Sequence, residues 1–243
     1  MKKPVLFATA LILFCGIAPM GIMAADSGDL VFPRDVGVKT RAEIGYENLK
    51  RDMEITSEAG DPVEKFDADS FFLRVHTDIG PDARFDLDAG VMDSGQSFRW
   101  FGGAGLRFLA YRHNNLRVGA FAQGRYAPNL KGRIDLPSSG ISRASVDHDL
   151  IEADAGVLFG YLFRPGNQLT ITPYAGPVLS IVRLSGDFRD PETGGKEDFK
   201  AREDNLFGAA VGMAFQFPGA NSLRFEGRYF DEWSASVAAA MTF

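Results

Sequence analysis

The chain has 243 residues, of which 45% are hydrophobic, and its formal net charge is −6. Its mean hydropathy is only −0.08, so the apolar residues are dispersed along the chain. Only residues 4–25 approach the roughly 20 consecutive apolar residues that a membrane-spanning helix needs, which excludes a bundle of such helices. The sequence contains no basic stripe, so nothing in it indicates nucleic-acid binding. The 27 glycines and 21 phenylalanines indicate many short strands.

Residues 1–25 have the pattern of a secretory signal peptide. Lys2 and Lys3 supply the positive start, an apolar segment follows, and Ala24 and Ala25 form a small-residue end. We therefore expect residues 26–243 to form the mature domain. The chain's single cysteine, Cys15, lies in the leader, so the mature domain would contain no disulfide.

From residue 36 onward, apolar and polar residues alternate with a period of two, which is typical of β-strands. In the first segment, for example, Ala42 and Ile44 alternate with Arg41 and Glu43. The seventh segment contains Pro173 and Pro177 and is apolar on both faces, so its facing stays open and it is predicted to be an edge or a bulge. The ten predicted strands cover about residues 36–47, 71–78, 84–91, 100–108, 116–126, 151–163, 169–184, 207–217, 223–229 and 233–243.

The connections between these strands alternate in length. Tight turns are predicted near residues 79–83, 112–115, 164–168 and 218–221, and polar loops at residues 50–69, 93–99, 127–149 and 185–205. Short turns at one end and longer loops at the other are typical of outer-membrane barrels. The sequence therefore predicts an all-β fold, a closed antiparallel up-and-down transmembrane β-barrel of about ten strands.

The two faces of each predicted strand differ in chemistry. In a membrane barrel the apolar row faces lipid and the charged row faces the lumen, where opposite charges pair. Such a row is expected to form a structural network of salt bridges or to line a narrow pore; a solvated sheet face is the alternative. The predicted lumen residues are Arg41, Glu43, Arg74, Asp78, Asp86, Asp88, Arg107, Arg125, Glu152, Asp154, Arg224, Glu226 and Arg228.

Aromatic residues on the apolar rows are predicted to fall at two levels, as the two interfaces of a bilayer select. The loop-side level contains Tyr46, Phe71, Trp100, Tyr126, Phe207, Tyr229 and Trp233, and the turn-side level contains Phe85, Phe108, Phe163, Phe217 and Phe243.

The end of the chain resembles the C-terminal signal of bacterial outer-membrane β-barrel proteins, and the architecture resembles the small barrels of the OmpA-type superfamily. The resemblance implies a location in the bacterial outer membrane. It also implies outer-membrane lipid, lipopolysaccharide and the barrel assembly machinery as partners. The residues that carry the predicted assembly signal are Tyr229, Trp233, Val237, Ala239, Met241 and Phe243.

These observations favour a non-enzymatic barrel with a structural or surface-interaction role, or a narrow pore, without cofactor or metal. One alternative is a soluble periplasmic barrel that binds an apolar ligand, with every strand facing the other way. Another is an outer-membrane protease or lipid-modifying enzyme. Asp147-His148-Asp149, with Asp67 and Asp69, is similar to the carboxylates and imidazole of omptin proteases, although that family places aspartate and histidine two residues apart.

Overall fold

The computed structural model describes residues 40–56, 63–136, 141–166, 168–189, 196–203, 205–217, 221–230 and 232–242, so the predicted leader and Phe243 lie outside the described residues. No helix among these residues is long and apolar enough to cross a membrane. The strands are β1 (Thr40–Thr56), β2 (Val63–Gly80), β3 (Ala83–Asp93), β4 (Phe98–His113), β5 (Leu116–Leu136), β6 (Ile141–Tyr161), β7 (Thr170–Arg189), β8 (Lys196–Glu203), β9 (Phe207–Gln216), β10 (Ser222–Tyr229) and β11 (Trp233–Thr242).

The strands form one closed antiparallel sheet. Successive strands pair with each other, except that β9 pairs with β7 and not with β8. Strand β1 also pairs with β11, from Arg41 opposite Thr242 to Asn48 opposite Ala235. Ten strands make the up-and-down barrel, as the sequence predicts. The eleventh strand, β8, pairs with residues 183–189 of β7 and residues 53–56 of β1. Strand β9 pairs with residues 170–179 of β7.

Tight turns cluster at one end of the barrel, which we name the turn end; the opposite end is the loop end. Pro81 and Asp82 connect β2 to β3, and Asn114 and Asn115 connect β4 to β5. Asn114 has a φ of 50°, a left-handed conformation that asparagine tolerates well in two-residue hairpin turns. Both turns lie where the alternation of the sequence predicts them.

The prediction of long loops at residues 50–69, 127–149 and 185–205 is wrong, because most of these residues are strand. Strand β1 continues to Thr56 and β2 begins at Val63, while β5, β6 and β7 extend to comparable heights. The whole of β8 lies inside the last of the predicted loops. We name the collar the part of the barrel that these strand residues, and those directly next to them, form at the loop end.

Strand β7 is not an edge, which corrects the prediction made from its prolines. It lies between β6 and β9 and pairs with both. The hydrogen-bonded ladder between β7 and β6 is interrupted around Pro177, because proline has no N–H to donate. A Cβ on neighbouring Gly176 would lie 2.0 Å from the carbonyl oxygen of Val157, so only glycine fits there. The facing is now defined, since Tyr174 and Val178 are buried inside while Pro177 is exposed.

Candidate functional site: the lumen, the belt and the collar

The outer face of the barrel carries a band of exposed apolar side chains, which we name the belt. Ile44, Leu73, Leu87, Phe159 and Val211 are each 45–54% exposed on this face. The predicted facing is therefore confirmed. A soluble barrel with these rows inside is not favoured, because every strand would have to turn over.

Aromatic side chains lie at both edges of the belt. Tyr229 and Trp233 contact each other at the loop-end edge, with ring centroids 5.2 Å apart. Tyr46 and Phe85 are half-buried. The other predicted aromatic residues that the structure describes are exposed: Phe71, Trp100, Tyr126, Phe207, Tyr229 and Trp233 at the loop-end edge, and Phe108, Phe163 and Phe217 at the turn-end edge.

The remaining residues of the predicted assembly signal lie on the last strand, which closes the barrel against β1. Val237, Ala239 and Met241 are half-buried, and they pair with Tyr46, Ile44 and Ala42. Their row is therefore continuous with the belt.

The structure places the predicted charged row inside the barrel. Asp78, Glu226 and Arg228 are partly buried. The others are buried: Arg41, Glu43, Arg74, Asp86, Asp88, Arg107, Arg125, Glu152, Asp154 and Arg224. We name this set, with its additional partners described below, the lumen network.

Arg125 on β5 occupies the centre of the lumen network. Its Nε lies 3.0 Å from Asp88 Oδ2, and its Nη1 pairs with Glu47 and lies 3.6 Å from Glu152 Oε2. The guanidinium also lies over the rings of Phe72 and Phe101, at 5.7 and 5.5 Å from their centroids. Because β1 and β5 are not neighbours in the sheet, the pair with Glu47 bridges the lumen.

Glu43 on β1 organises the part of the lumen network nearer the turn end. Its Oε1 accepts from Arg74 at 3.3 Å and from Arg224 at 3.1 Å. His76 Nε2 lies 3.7 Å from Glu43 Oε2, while its Nδ1 lies 2.6 Å from Asp86 Oδ1. Asp86 also pairs with Arg107. Each charge here has partners of opposite sign, as a buried charge requires.

A second bridge crosses the lumen between β10 and β6. Arg228 donates from Nη1 to Asp154 Oδ2 at 2.6 Å and from Nε to Glu226 Oε1 at 2.7 Å. Glu226 also accepts from the hydroxyl of Tyr174 at 2.7 Å, and Asp154 accepts from the amide of Gln123 at 2.9 Å.

The sequence-based list misses several members of this interior. Glu47 lies in the charged row of the first strand, so the alternation of the sequence already indicates it. Arg51 and Glu203 fall within predicted loops, yet Arg51 Nε lies 2.7 Å from Glu203 Oε1 and both side chains are fully buried. Arg51 also donates to Ser234 Oγ at 2.6 Å and stacks over Phe230 at 4.2 Å. Burial raises the pKa of Glu203, and the charge of Arg51 partly offsets that effect.

In the collar the two faces of the strands exchange their chemistry. On β1 the outward row passes from Ile44 and Tyr46 to Asn48, Lys50 and Asp52. The inward row becomes mainly apolar, with Arg51 as a charged exception, and packs into a core like that of a soluble barrel. This core includes Leu49, Met53, Phe66, Leu130, Val146, Leu150, Val182 and Leu184.

The aspartates and the histidine that suggested a protease lie on opposite faces of the collar wall. His148 is 4% exposed and points inward, where its ring meets Phe66 edge-on at 6.3 Å between centroids. Asp147 and Asp149 alternate with it and lie on the outward face. Burial lowers the pKa of His148 to about 4, although both aspartates oppose that shift. The wall therefore separates this imidazole from its neighbouring carboxylates.

No family model matches the chain, and no curated protein is significantly similar to it. Solved structures that resemble it include the outer membrane protease OmpT from Escherichia coli, with 11% identity, 88% of this chain and 99% of that chain covered, and a TM-score of 0.48. Neisserial surface protein A has 11% identity, 84% and 97% coverage and a TM-score of 0.36. Ail of Yersinia pestis has 12% identity, 85% and 99% coverage and a TM-score of 0.30. These similarities are too weak to assign a family or an activity.

Proposed function

We propose that the protein is a non-enzymatic integral barrel of a bacterial outer membrane, with a closed lumen and a structural or surface-interaction role. The observation that carries the proposal is the combination of an apolar belt outside with a lumen network inside. Water favours the opposite arrangement, whereas lipid requires an apolar surface and a sheet without open edges. The turn end then faces the periplasm and the collar faces the cell exterior.

Two successive layers close the lumen. In the belt region, the bridges from Arg125 to Glu47 and from Arg228 to Asp154 join non-neighbouring strands across the interior. Above them, the apolar core of the collar includes Leu130 and Leu150, both 0% exposed. An ion that entered from outside would lose part of its water against these apolar side chains, and such constrictions oppose conduction.

The collar supports the surface-interaction role. Its strands are joined to each other and packed on an apolar core, so its outward residues are held on a rigid scaffold. Exposed groups on this scaffold also pair, as Arg202 Nη2 does with Glu54 Oε2 at 2.7 Å. Rigid presentation of polar groups lowers the entropy that binding costs.

Membrane fractionation and planar-bilayer recording test the two parts of this proposal. We expect recovery in the outer-membrane fraction after alkaline extraction, and no steady ion current from the reconstituted barrel. Recovery in the soluble periplasm contradicts the membrane assignment. A steady current that persists at low voltage contradicts the closed lumen and favours the narrow pore.

A matched pair of variants links any change in current to the lumen network. Arg125→Ala combined with Glu152→Ala removes one cation and one anion, so the net charge of the lumen is kept while its centre is emptied. We expect this double variant to leak more than the wild type. Lys50→Ala combined with Asp67→Ala removes an exposed pair on the outer wall, 4.0 Å apart, and should leave the current unchanged.

A further inference from the structure

An apolar groove lies on the outer wall of the barrel at the turn end. It has a volume of about 490 Å³ and is lined by Phe163, Arg164, Pro165, Ile171, Pro173 and Met213. The groove forms just beyond the end of β6, where a bridge between Phe163 and Ile171 follows the last pairing of β6 with β7, Gly160 opposite Tyr174. Its walls are apolar, and one cation stands at its rim.

Two further arginines lie at the same corner. Arg112 and Arg117 are directly opposite each other on β4 and β5, next to the turn that joins these strands. Leu162 N donates to Asn115 O in that turn at 3.0 Å, which brings the end of β6, and with it Arg164, to the two arginines.

This corner carries positive charge that the described residues do not balance. Arg112 and Arg164 are the charged side chains close enough to interact electrostatically with Arg117, and both repel its positive charge. Arg117 is 8% exposed and donates from Nη1 to the backbone oxygens of Asn114 and Leu116. Its buried Nε has no hydrogen-bond acceptor among the described residues. In the lumen network, by contrast, arginines such as Arg125 contact carboxylates.

We propose that this corner binds one anionic phospholipid, with an acyl chain in the groove and the phosphate at Arg164, in the field of Arg112 and Arg117. The proposal rests on the proposed function, because it requires the turn end to lie at a lipid surface. Two features favour a lipid over a free anion. One of the cations, Arg164, lines the apolar groove, and the groove opens on the belt side of the wall. A phosphate ester supplies the acceptor oxygens that guanidinium groups bind well.

Native mass spectrometry of the barrel in neutral detergent tests the headgroup preference. Phosphatidylglycerol and phosphatidylcholine with identical acyl chains are offered together. Since an arginine near a membrane surface contributes about 1 kcal/mol toward an anionic lipid, we expect Arg164→Gln to reduce the preference for phosphatidylglycerol about fivefold. Arg183→Gln is the matched control, because Arg183 is exposed on β7 just beyond the other edge of the belt. An equal loss in both variants, or no preference in the wild type, overturns the proposal.

A parallel sample with excess inorganic phosphate separates a lipid site from a simple anion site. A lipid held by both its chain and its headgroup stays bound. If the phosphate removes the entire preference for phosphatidylglycerol, the corner binds anions alone and the assignment of the groove is wrong.

A fluorescence measurement locates the lipid on the barrel. A bimane label on Met213→Cys should be quenched more by brominated phosphatidylglycerol than by brominated phosphatidylcholine. Leu87→Cys, on the opposite wall, should show no such difference. Equal quenching at Met213→Cys by the two lipids overturns this inference while leaving the membrane assignment intact. Failure of both labels to be quenched by either lipid contradicts the membrane assignment itself.

Discussion

Tyr46 on β1 donates its hydroxyl to Asp69 Oδ1 on β2 at 2.5 Å, and this bond marks the edge of the belt. Tyr46 is the last apolar residue of its outward row, and Asp69 is the first polar residue of the neighbouring outward row. Tyr126 and Asp149 repeat the relationship between β5 and β6 at 2.7 Å. In both cases an aromatic ring lies on the apolar side and its hydroxyl meets a carboxylate on the polar side, as expected at a membrane interface.

This boundary predicts how position controls the cost of an outward charge. Leu73→Arg puts a cation in the middle of the belt, where an arginine facing lipid costs about 2–4 kcal/mol. Asn48→Arg puts the same cation just beyond the belt, near Asp67 and Asp69, and should change the free energy of unfolding by less than about 1 kcal/mol. Urea unfolding in lipid vesicles measures both values. Equal costs at the two positions contradict the assigned boundary.

Arg125 is predicted to be the most sensitive single position of the lumen network. Arg125→Met leaves Glu47, Asp88 and Glu152 facing each other without their shared cation, and breaking a buried pair in this way costs about 3–5 kcal/mol. Arg99→Met, which removes a hydrogen bond to the backbone oxygen of Asn129 at the loop end, should cost about 1 kcal/mol. The same unfolding assay compares them, and a loss at Arg125 no larger than that at Arg99 contradicts the central role of Arg125.

The alternation of the sequence predicts the strands of the belt and the facing of their charges because lipid imposes one rule on every strand. Ile44 and Leu73 must face out, so Glu43 and Arg74 must face in. The same alternation is misread in the collar, because there the apolar residues face inward and the polar residues face outward. Leu49 faces in while Lys50 faces out, so a search for an apolar outward row ends at Tyr46 and assigns the rest of the strand to a loop.

Other features depend on three-dimensional relationships that the sequence does not contain. The pair between Arg51 and Glu203 forms because β8 returns to the top of β1, and nothing local to either residue predicts that return. The prolines of β7 mislead for a related reason. A proline usually indicates an edge strand. Here the hydrogen-bonded ladder between β7 and β6 is interrupted only around Pro177, while residues 170–179 of β7 stay paired with β9.

The apolar core of the collar predicts a loss of rigidity when a buried leucine is truncated. Leu150→Ala removes a side chain that is 0% exposed and should cost about 2–5 kcal/mol. Ile151→Ala, at the adjacent position, removes a side chain that is 48% exposed on the belt and should cost less. Hydrogen exchange reports the difference, since backbone amides of β6 and β7 in the collar should exchange faster in the first variant alone. Unchanged exchange in Leu150→Ala contradicts a packed collar.

Because His148 is buried in the collar, we expect the free energy of unfolding to be lower in mild acid. The pKa of His148 is about 4 in the folded protein, because burial disfavours the charged imidazole, and about 6.5 when unfolded. Between these values the unfolded chain binds more protons, so the free energy of unfolding decreases as the pH falls from about 6.5 to about 4. The shift corresponds to at most about 3 kcal/mol. Below about pH 4 both forms are protonated and the contribution of His148 no longer changes.

A substitution that keeps the ring isolates this effect from the rest of the collar. His148→Phe retains the contact with Phe66 and removes the titrating group, so its unfolding free energy should depend less steeply on pH in that window. Glu203 acts in the opposite direction, because burial raises its pKa, and the difference between wild type and variant cancels its contribution. Identical pH profiles for His148→Phe and the wild type, measured by urea unfolding in vesicles, contradict a buried neutral imidazole in the collar.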